Sequence, residues 1–304
     1  MHQPHRAPQP SSPSRSVATA TAKRIVGLIV ALLVSGCGAS TASGGRLYDK
    51  WYASSDFQAT SAAAKPDGSG GPRGDGTLLD GDGKVVPNTT GHGYRFKSFW
   101  GWDLKGAAGI YGPQHQNKTT VRPENLMTDT RTPAQLAAWL RMGAPGVPAW
   151  GAVMSEAEIA LLVTFIDAMR TGLLPRADDI WTLSADAPKH YTLNVGGDPA
   201  RGAALVRQRC AGCHGARGQR IKIDQHYSLG AFARANGYEA WFKILAGQPG
   251  TDMKGQVPGG LDRKASAAFI LDVLAGLCDR AQFPTLRGGK DVLDGDLRCG
   301  GYLK

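Results

Sequence analysis

Three features that assign many chains to a functional class are missing from this 304-residue sequence. Its apolar run at residues 25–34 is too short for an ordinary membrane-spanning helix. No basic run is interleaved with aromatic residues, which argues against nucleic-acid binding in spite of a formal net charge of +10. No second Cys/His pair stands at zinc-ligand spacing. Part of the positive charge lies in the first 36 residues, and the other basic residues are scattered along the chain.

The short apolar run belongs to a targeting segment at residues 1–36. It follows Lys23 and Arg24, which end a basic Pro/Ser-rich stretch, and its length suits the hydrophobic region of a signal peptide. Residues 34–37, Val-Ser-Gly-Cys, resemble a bacterial lipobox. We therefore expect lipidation of Cys37 and an exported protein, held by a lipid anchor on the periplasmic side of a bacterial membrane or at the outer membrane. The alternative is ordinary cleavage nearby, with Cys37 incidental.

The most informative motif is Cys210-Ala211-Gly212-Cys213-His214. Two thiols three residues apart fit one helical turn and can form thioethers to the two vinyl groups of a haem. His214 then offers an imidazole nitrogen as the proximal iron ligand. Two alternatives are a zinc site and a redox dithiol. A zinc site would need a second Cys/His pair, which the sequence does not offer, and a redox dithiol would not account for His214 at this position. The motif predicts one covalently bound haem c, and export agrees with it because bacteria attach this haem outside the cytoplasm.

Two of the remaining cysteines are candidates for a disulfide. With Cys37 assigned to lipid and Cys210 and Cys213 to haem, Cys278 and Cys299 are left in an oxidising compartment. They could close the C-terminal tail or remain free thiols, because the sequence does not report the geometry that a bridge requires.

Helix start and stop signals predict a mostly α fold in two domains. Thr132-Pro133 and the capping box at residues 155–158 each begin a helix, and Gly172 stops the second. Asp198-Pro199 begins another, and residues 264–277 form the last. The predicted organisation is a tether at 37–45, a first domain at 46–172 with a long irregular surface segment at 60–93, a connector at 173–196, a second domain at 197–278 and a tail at 279–304.

The second domain resembles the class I cytochrome c fold over about residues 197–278. The order is helix, C-x-x-C-H, loop, helix, a Gly/Pro loop containing Met253, and a last helix. The resemblance implies that Met253, the only Met after the haem motif, is the sixth iron ligand. Lys254 departs from the family pattern, in which proline commonly follows this Met. His226 is the competing ligand, and its setting is typical of a solvated loop.

The first domain resembles a degenerate copy of the second. Residues 138–142 and 143–146 are similar to 240–244 and 247–250, and this frame places Phe96, Phe99 and Trp100 where Cys, Cys and His would stand. Ala149 falls opposite Met253, with Trp150 beside it. We expect two tandem cytochrome c-like domains of which the first is haemless, its aromatics refilling the haem volume. The alternative is an ordinary helical domain with a coincidental alignment; Met154 or His115 could also ligate a non-covalent haem.

These features favour a monohaem c-type cytochrome that passes single electrons between a membrane respiratory chain and a periplasmic or cell-surface partner. The net charge is compatible with a docking face for an acidic redox protein. The alternative is a periplasmic dehydrogenase, or its cytochrome subunit, acting on a small-molecule or sulfur compound. That activity needs acid/base groups beside the haem, and neither His115 nor His190 has an evident partner. The haemless domain could also be a docking module.

Overall fold

The computed structural model describes residues 40–53, 78–86, 94–115 and 118–304. These residues belong to one unit, Gly38–Lys304, which is mostly helical with little sheet, in agreement with the predicted class. The predicted signal peptide at 1–36 and the lipidation site Cys37 lie outside the described residues.

The described residues contain ten α-helical segments and two short hairpins. The first segment covers residues 40–50 (α1). The others are α2 (Phe96–Trp100), α3 (Tyr111–Gln114), α4 (Pro133–Met142), α5 (Glu156–Arg170), α6 (Pro199–Arg209), α7 (Ala211–His214), α8 (Leu229–Ala235), α9 (Gly237–Ala246) and α10 (Arg263–Leu277). The antiparallel hairpins are β1 (Leu78–Leu79) with β2 (Val85–Val86), and β3 (Trp181–Leu183) with β4 (Tyr191–Leu193).

The helix starts that the sequence predicts are confirmed. Thr132 and Gln135 form a reciprocal capping box at α4, and Ser155 and Glu158 form one at α5. The Asp198 carboxylate accepts from the backbone N–H of Arg201 and caps α6. Local side-chain chemistry therefore sets these helix boundaries.

The predicted tether is wrong for residues 40–45, which lie in α1. The glycines in this segment predict a flexible linker. In the structure, however, α1 packs against α5 at Gly44. A Cβ on Gly44 would collide with the carbonyl oxygen of Leu161. Glycine is used for the close approach of two backbones rather than for mobility.

Regular structure also occurs in the segment predicted to be irregular, in the predicted connector and in the predicted tail. Within 60–93, the described residues form the β1–β2 hairpin, where Leu78 is buried and Asp80 accepts from the backbone N–H of Gly146 at 2.8 Å. The connector at 173–196 contains the β3–β4 hairpin. The tail contains a 3-10 helix, Leu297–Tyr302, that contacts β4. Each of these segments is stabilised by contacts distant in sequence, which local patterns do not show.

The described residues before 172 (the first half) and residues 197–304 (the second half) each contain five helical segments. Four of them compare in order: α1, α2, α4 and α5 in the first half with α6, α7, α9 and α10 in the second. The first and last of each set meet through a glycine: Gly44 lies against α5, and a Cβ on Gly202 would collide with the carbonyl oxygen of Asp272 in α10. Helices α5 and α10 each have 15 residues.

The ends of the paired helices also match. Gly143 after α4 has φ 72° and ψ −176°, and Gly247 after α9 has φ 92° and ψ −179°. Both values of φ lie in the left-handed region, which glycine adopts without steric cost. Each glycine donates its N–H to the carbonyl four residues earlier, in Trp139 or Lys243. The sequence similarity between residues 143–146 and 247–250 thus corresponds to a shared backbone turn.

The halves meet around a buried ionic cluster. The Asp49 carboxylate on α1 pairs with the ammonium groups of Lys97 on α2, at 2.8 Å, and of Lys243 on α9. All three side chains are at most 11% exposed. The Lys97 ammonium lies 3.7 Å from the ring centroid of Trp102, which packs at 5.1 Å from the ring of Phe242 on α9.

Candidate haem attachment site

The C-x-x-C-H motif lies on a single helical turn. Cys210 follows α6, donates its N–H to the carbonyl of Val206, and is the residue from which α7 begins. The N–H groups of Cys213 and His214 both reach the Cys210 carbonyl, at 3.2 and 2.8 Å. This turn places two thiols and an imidazole in one short segment, as thioether attachment with proximal ligation requires.

The three reactive side chains of the motif differ in environment. Cys210 is half-buried, and burial raises the pKa of its thiol to about 11, whereas Cys213 is exposed. Both thiols are unbridged. Burial lowers the pKa of the His214 imidazole, which favours the neutral form that binds metals. The turn therefore offers two uncommitted thiols and a neutral nitrogen donor.

His214 is also left with an unmatched polar atom. Its Nδ1 is buried and has no hydrogen-bond partner within the described part of the chain. A buried polar atom without a partner costs about 1–3 kcal/mol, so such atoms commonly mark functional positions. Two unbridged thiols and an imidazole on one turn are the donor set that a covalently attached haem needs.

The loop that carries Met253 lies against the end of α6. Arg209, immediately before Cys210, donates to the Gln256 carbonyl at 3.2 Å, three residues after Met253. The loop is closed by a bridge between Gly247 and Lys254 and by the Gln248 N–H on the Met253 carbonyl at 3.0 Å. Met253 itself is half-buried. The Arg209 side chain thus links the loop that carries the predicted distal ligand to the residue before the haem motif.

Half-buried apolar side chains occur before and after the motif along the chain. They pack against the core and are partly exposed: Leu205, Ile223, Tyr227, Leu229 and Val257. Apolar surface of this kind suits a large planar apolar group better than water.

In the first half, buried aromatic side chains stand at the positions that the internal alignment pairs with the C-x-x-C-H residues. Phe96, Phe99 and Trp100 on α2 are each at most 2% exposed, and Trp150 joins them with no exposure at all. The Trp150 ring centroid lies 4.2 Å from that of Phe96, 5.5 Å from that of Phe99 and 5.8 Å from that of Trp100. We call these four residues the aromatic block.

Trp150 is the member of the block that sequence reasoning did not include. It comes directly after Ala149, which the internal alignment places opposite Met253, so a large side chain beside the expected ligand position was the available signal. Its indole Nε1 donates to the Tyr94 carbonyl at 3.0 Å, which fixes the ring inside the core.

The competing ligands lie in other settings. His226 is exposed, at the end of a loop that begins at Ile223. The His115 ring lies 4.5 Å from the ring of Tyr111, and burial lowers its pKa. Met154 is buried in the core, and His190 precedes β4 with φ 61°.

Cys278 and Cys299, the pair left open by the sequence, are joined by a disulfide with an S–S distance of 1.97 Å. It attaches the Leu297–Tyr302 segment to the end of α10. Nearby, the buried Arg234 guanidinium binds the Asp291 carboxylate at 2.6 and 2.8 Å and donates to the carbonyls of Leu277 and Phe283. The tail is therefore part of the second half's core.

Comparison with known proteins gave no assignment: no family model matches the chain, and neither the curated proteins nor the solved structures contain a significant match. In the ranges that the structure describes, no helix is long and apolar enough to cross a membrane. In the same ranges, no three His, Cys, Asp or Glu side chains form a cluster that could hold a metal ion.

Proposed function

We propose that this chain is an exported, lipid-anchored, monohaem c-type cytochrome. It passes single electrons between a membrane respiratory chain and a redox protein in the periplasm or at the cell surface. The observation that carries the proposal is the α6–α7 turn, which combines two unbridged thiols with a half-buried imidazole whose buried Nδ1 is unmatched within the described residues.

Each residue of the site has a distinct task in this function. Cys210 and Cys213 hold the haem by thioether bonds, His214 supplies the proximal nitrogen, and Met253 supplies the distal thioether sulfur. A bound haem supplies a one-electron couple. The α7 turn and the closed loop at 247–254 would hold these two ligands, which would keep rearrangement small during electron transfer.

The repeated helix order supports a tandem arrangement with a haemless first half. Aromatic side chains fill the equivalent turn in that half, and both equivalent cysteines and both ligands are absent from it. A close-packed interior leaves no volume there for a haem. We infer that the first half is a scaffold that holds α9 of the haem half through the buried Asp49 cluster.

The test is expression in a host that attaches c-type haem, followed by a reductive titration of the purified protein. We expect one reversible one-electron couple, and its loss in a Cys210→Ala/Cys213→Ala variant. Met253→Ala is expected to change the ferrous spectrum and to lower the reduction potential. Met142→Ala, at a 61% exposed methionine, is the matched control and should leave both unchanged.

Two results would contradict the assignment. A wild-type chain without covalent haem from a maturation-competent host removes the whole proposal. A Met253→Ala protein with an unaltered spectrum and potential rejects Met253 as the distal ligand and leaves the rest standing.

A further inference from the structure

The end of α9, just before the loop that carries Met253, is held by residues from two other parts of the chain. The last carbonyl groups of a helix have no partner within it. In α9, the Ile244 carbonyl accepts from the backbone N–H of Gln256 at 2.7 Å, and the Ala246 carbonyl accepts from the Arg46 guanidinium at 3.2 Å. The first bond returns the Met253 loop to α9, and the second joins the same helix end to α1.

Arg46 has the properties needed to hold this helix end. Only 4% of the residue is exposed, and the bond that it donates to Ala246 is buried. A hydrogen bond from a charged donor is stronger than one between neutral groups, and a cation at a helix C-terminus interacts favourably with the helix dipole. The two residues are 200 positions apart in sequence, so this bond joins the first half to the second.

Two further contacts join α1 to the same part of α9. The Asp49 carboxylate pairs with the ammonium group of Lys243, which lies in the turn before Ala246. Gly45 lies so close to α9 that a Cβ on this glycine would stand 2.6 Å from the Ala246 Cβ. Helix α1 therefore contacts the end of α9 through an ion pair, a hydrogen bond and a close backbone approach.

The contact continues onto the loop itself. Gly250, three residues before Met253, has φ 75°, and a Cβ on it would lie 2.5 Å from the Ala53 carbonyl oxygen. Ala53 ends the 3-10 turn that follows α1. Glycine is needed at position 250 both for its positive φ and because a side chain would push the loop away from residue 53.

In the first half, the turn with the same backbone geometry is held by an element of that same half. The Asp80 carboxylate, between β1 and β2, accepts from the Gly146 N–H, and the Leu79 carbonyl accepts from the Ala149 N–H, both at 2.8 Å. In the second half, the corresponding support comes from α1, which belongs to the first. The loop that carries the predicted distal ligand therefore depends on a contact between halves.

We propose that Arg46, Asp49 and Ala53 form a clamp, the α1 clamp, that limits how often Met253 leaves the iron. Arg46 is a positioning residue, since it acts on the distal ligand through α9 and the loop. The inference rests on the proposed cytochrome function and gives the first half control over ligand exchange. When the loop opens, a small external ligand can take the sixth position, and its apparent affinity is proportional to the open fraction.

The test is a titration of the ferric full-length protein with imidazole, followed by the loss of the iron–methionine charge-transfer band. Arg46→Gln removes the charged bond to the Ala246 carbonyl and should raise the apparent imidazole affinity about tenfold, the lower end of the effect of losing one such bond. Arg46→Lys keeps a cation at the end of α9 and should restore most of the wild-type behaviour.

Arg170→Gln is the matched control. Arg170 is a half-buried arginine of α5 that also donates to a distant carbonyl, that of Asp129 at 3.3 Å, and it pairs with Asp167. Its replacement should weaken the first half and leave the imidazole affinity at the wild-type value. Equal rises in Arg46→Gln and Arg170→Gln indicate a general loss of stability and overturn the clamp.

Gly250→Ala tests the contact beyond α1 separately. Gly295→Ala is its control, because Gly295 also has φ 75° but lies in the tail with open space where a Cβ would stand. The imidazole affinity should rise in Gly250→Ala and stay unchanged in Gly295→Ala. A rise in Gly250→Ala without a rise in Arg46→Gln is an effect of strain in the loop alone and overturns the clamp.

Hydrogen exchange of the same proteins reports on the loop without using the iron. The Gln248 N–H is bonded to the Met253 carbonyl and the Gln256 N–H to α9, and both should exchange about tenfold faster in Arg46→Gln but not in Arg170→Gln. Unchanged exchange and imidazole affinity in Arg46→Gln overturn the clamp, while a normal haem spectrum leaves the proposed function standing. A chain that matures without haem removes the proposed function, and the exchange rates then decide alone whether α1 holds the loop.

Discussion

Replacing Trp150 by alanine tests whether the aromatic block fills the volume that the proposed haem would occupy in the other half. The Trp150 ring is completely buried, its closest ring neighbour is Phe96 at 4.2 Å, and its Nε1 donates to the Tyr94 carbonyl. Truncation removes these contacts from a site whose surrounding side chains are also buried. We therefore expect an apolar cavity that the structure cannot close completely.

The expected loss of stability follows from area and hydrogen bonding. A buried tryptophan covers about 150–250 Å² of surface, and about 25 cal/mol per Å² makes the apolar loss roughly 3–4 kcal/mol after allowing for the alanine. The lost hydrogen bond to Tyr94 adds about 1 kcal/mol. Large-to-small changes of tryptophan in cores generally cost about 3–5 kcal/mol. We expect about 4 kcal/mol, which lowers the melting temperature by roughly 10 °C in a chain of this size.

The assay is urea unfolding followed by circular dichroism, with Trp139→Ala as the matched control. Trp139 contacts the block from its edge, 5.6 Å from the ring of Trp100, and is half-buried under the Arg131 guanidinium. Its truncation should cost only about 1–2 kcal/mol, because less area leaves water. The reasoning is refuted if Trp150→Ala destabilises no more than Trp139→Ala.

Three further changes test other parts of the structure. Asp49→Asn leaves two buried ammonium groups without their carboxylate and should destabilise by about 3–5 kcal/mol in urea unfolding. Burial raises the pKa of Asp49, but Lys97 and Lys243 outweigh it and lower the pKa to about 2. The contribution of Asp49 to stability should therefore be lost only as pH falls below about 4. Burial raises the pKa of Asp103 to about 6, so ionisation of this carboxyl opposes folding. The free energy of unfolding should therefore decrease as pH rises from about 4 to about 6, and Asp103→Asn should flatten that decrease in a pH series of melting curves. Removing the Cys278–Cys299 bridge by a double alanine change should cost about 3 kcal/mol, measured by unfolding of the oxidised wild type beside the variant.

The helix starts, and the single turn that carries the C-x-x-C-H residues, could be predicted because their signals are local. Thr132, Ser155 and Asp198 cap their helices within three residues, and the C-x-x-C-H motif fits one turn. The aromatic positions on α2 followed from an internal comparison, which also uses short segments. Signals that span only a few residues predict the local conformation of the segment that contains them.

The contacts between halves could not be predicted in the same way. Asp49 pairs with Lys243 across 194 residues, and an isolated Asp in a helix predicts only a solvated face. Gly44 is predicted to lie in a flexible tether, because the sequence does not show that α5 packs against it.

The central claim is that one haem is bound covalently, at Cys210 and Cys213. The most direct measurement is the intact mass of the protein matured in a host that attaches c-type haem, with peptide mapping of the adduct. The account predicts the mass of one haem per chain, carried on the peptide that contains residues 210–214. A chain without the adduct, or an adduct on any other peptide, contradicts it.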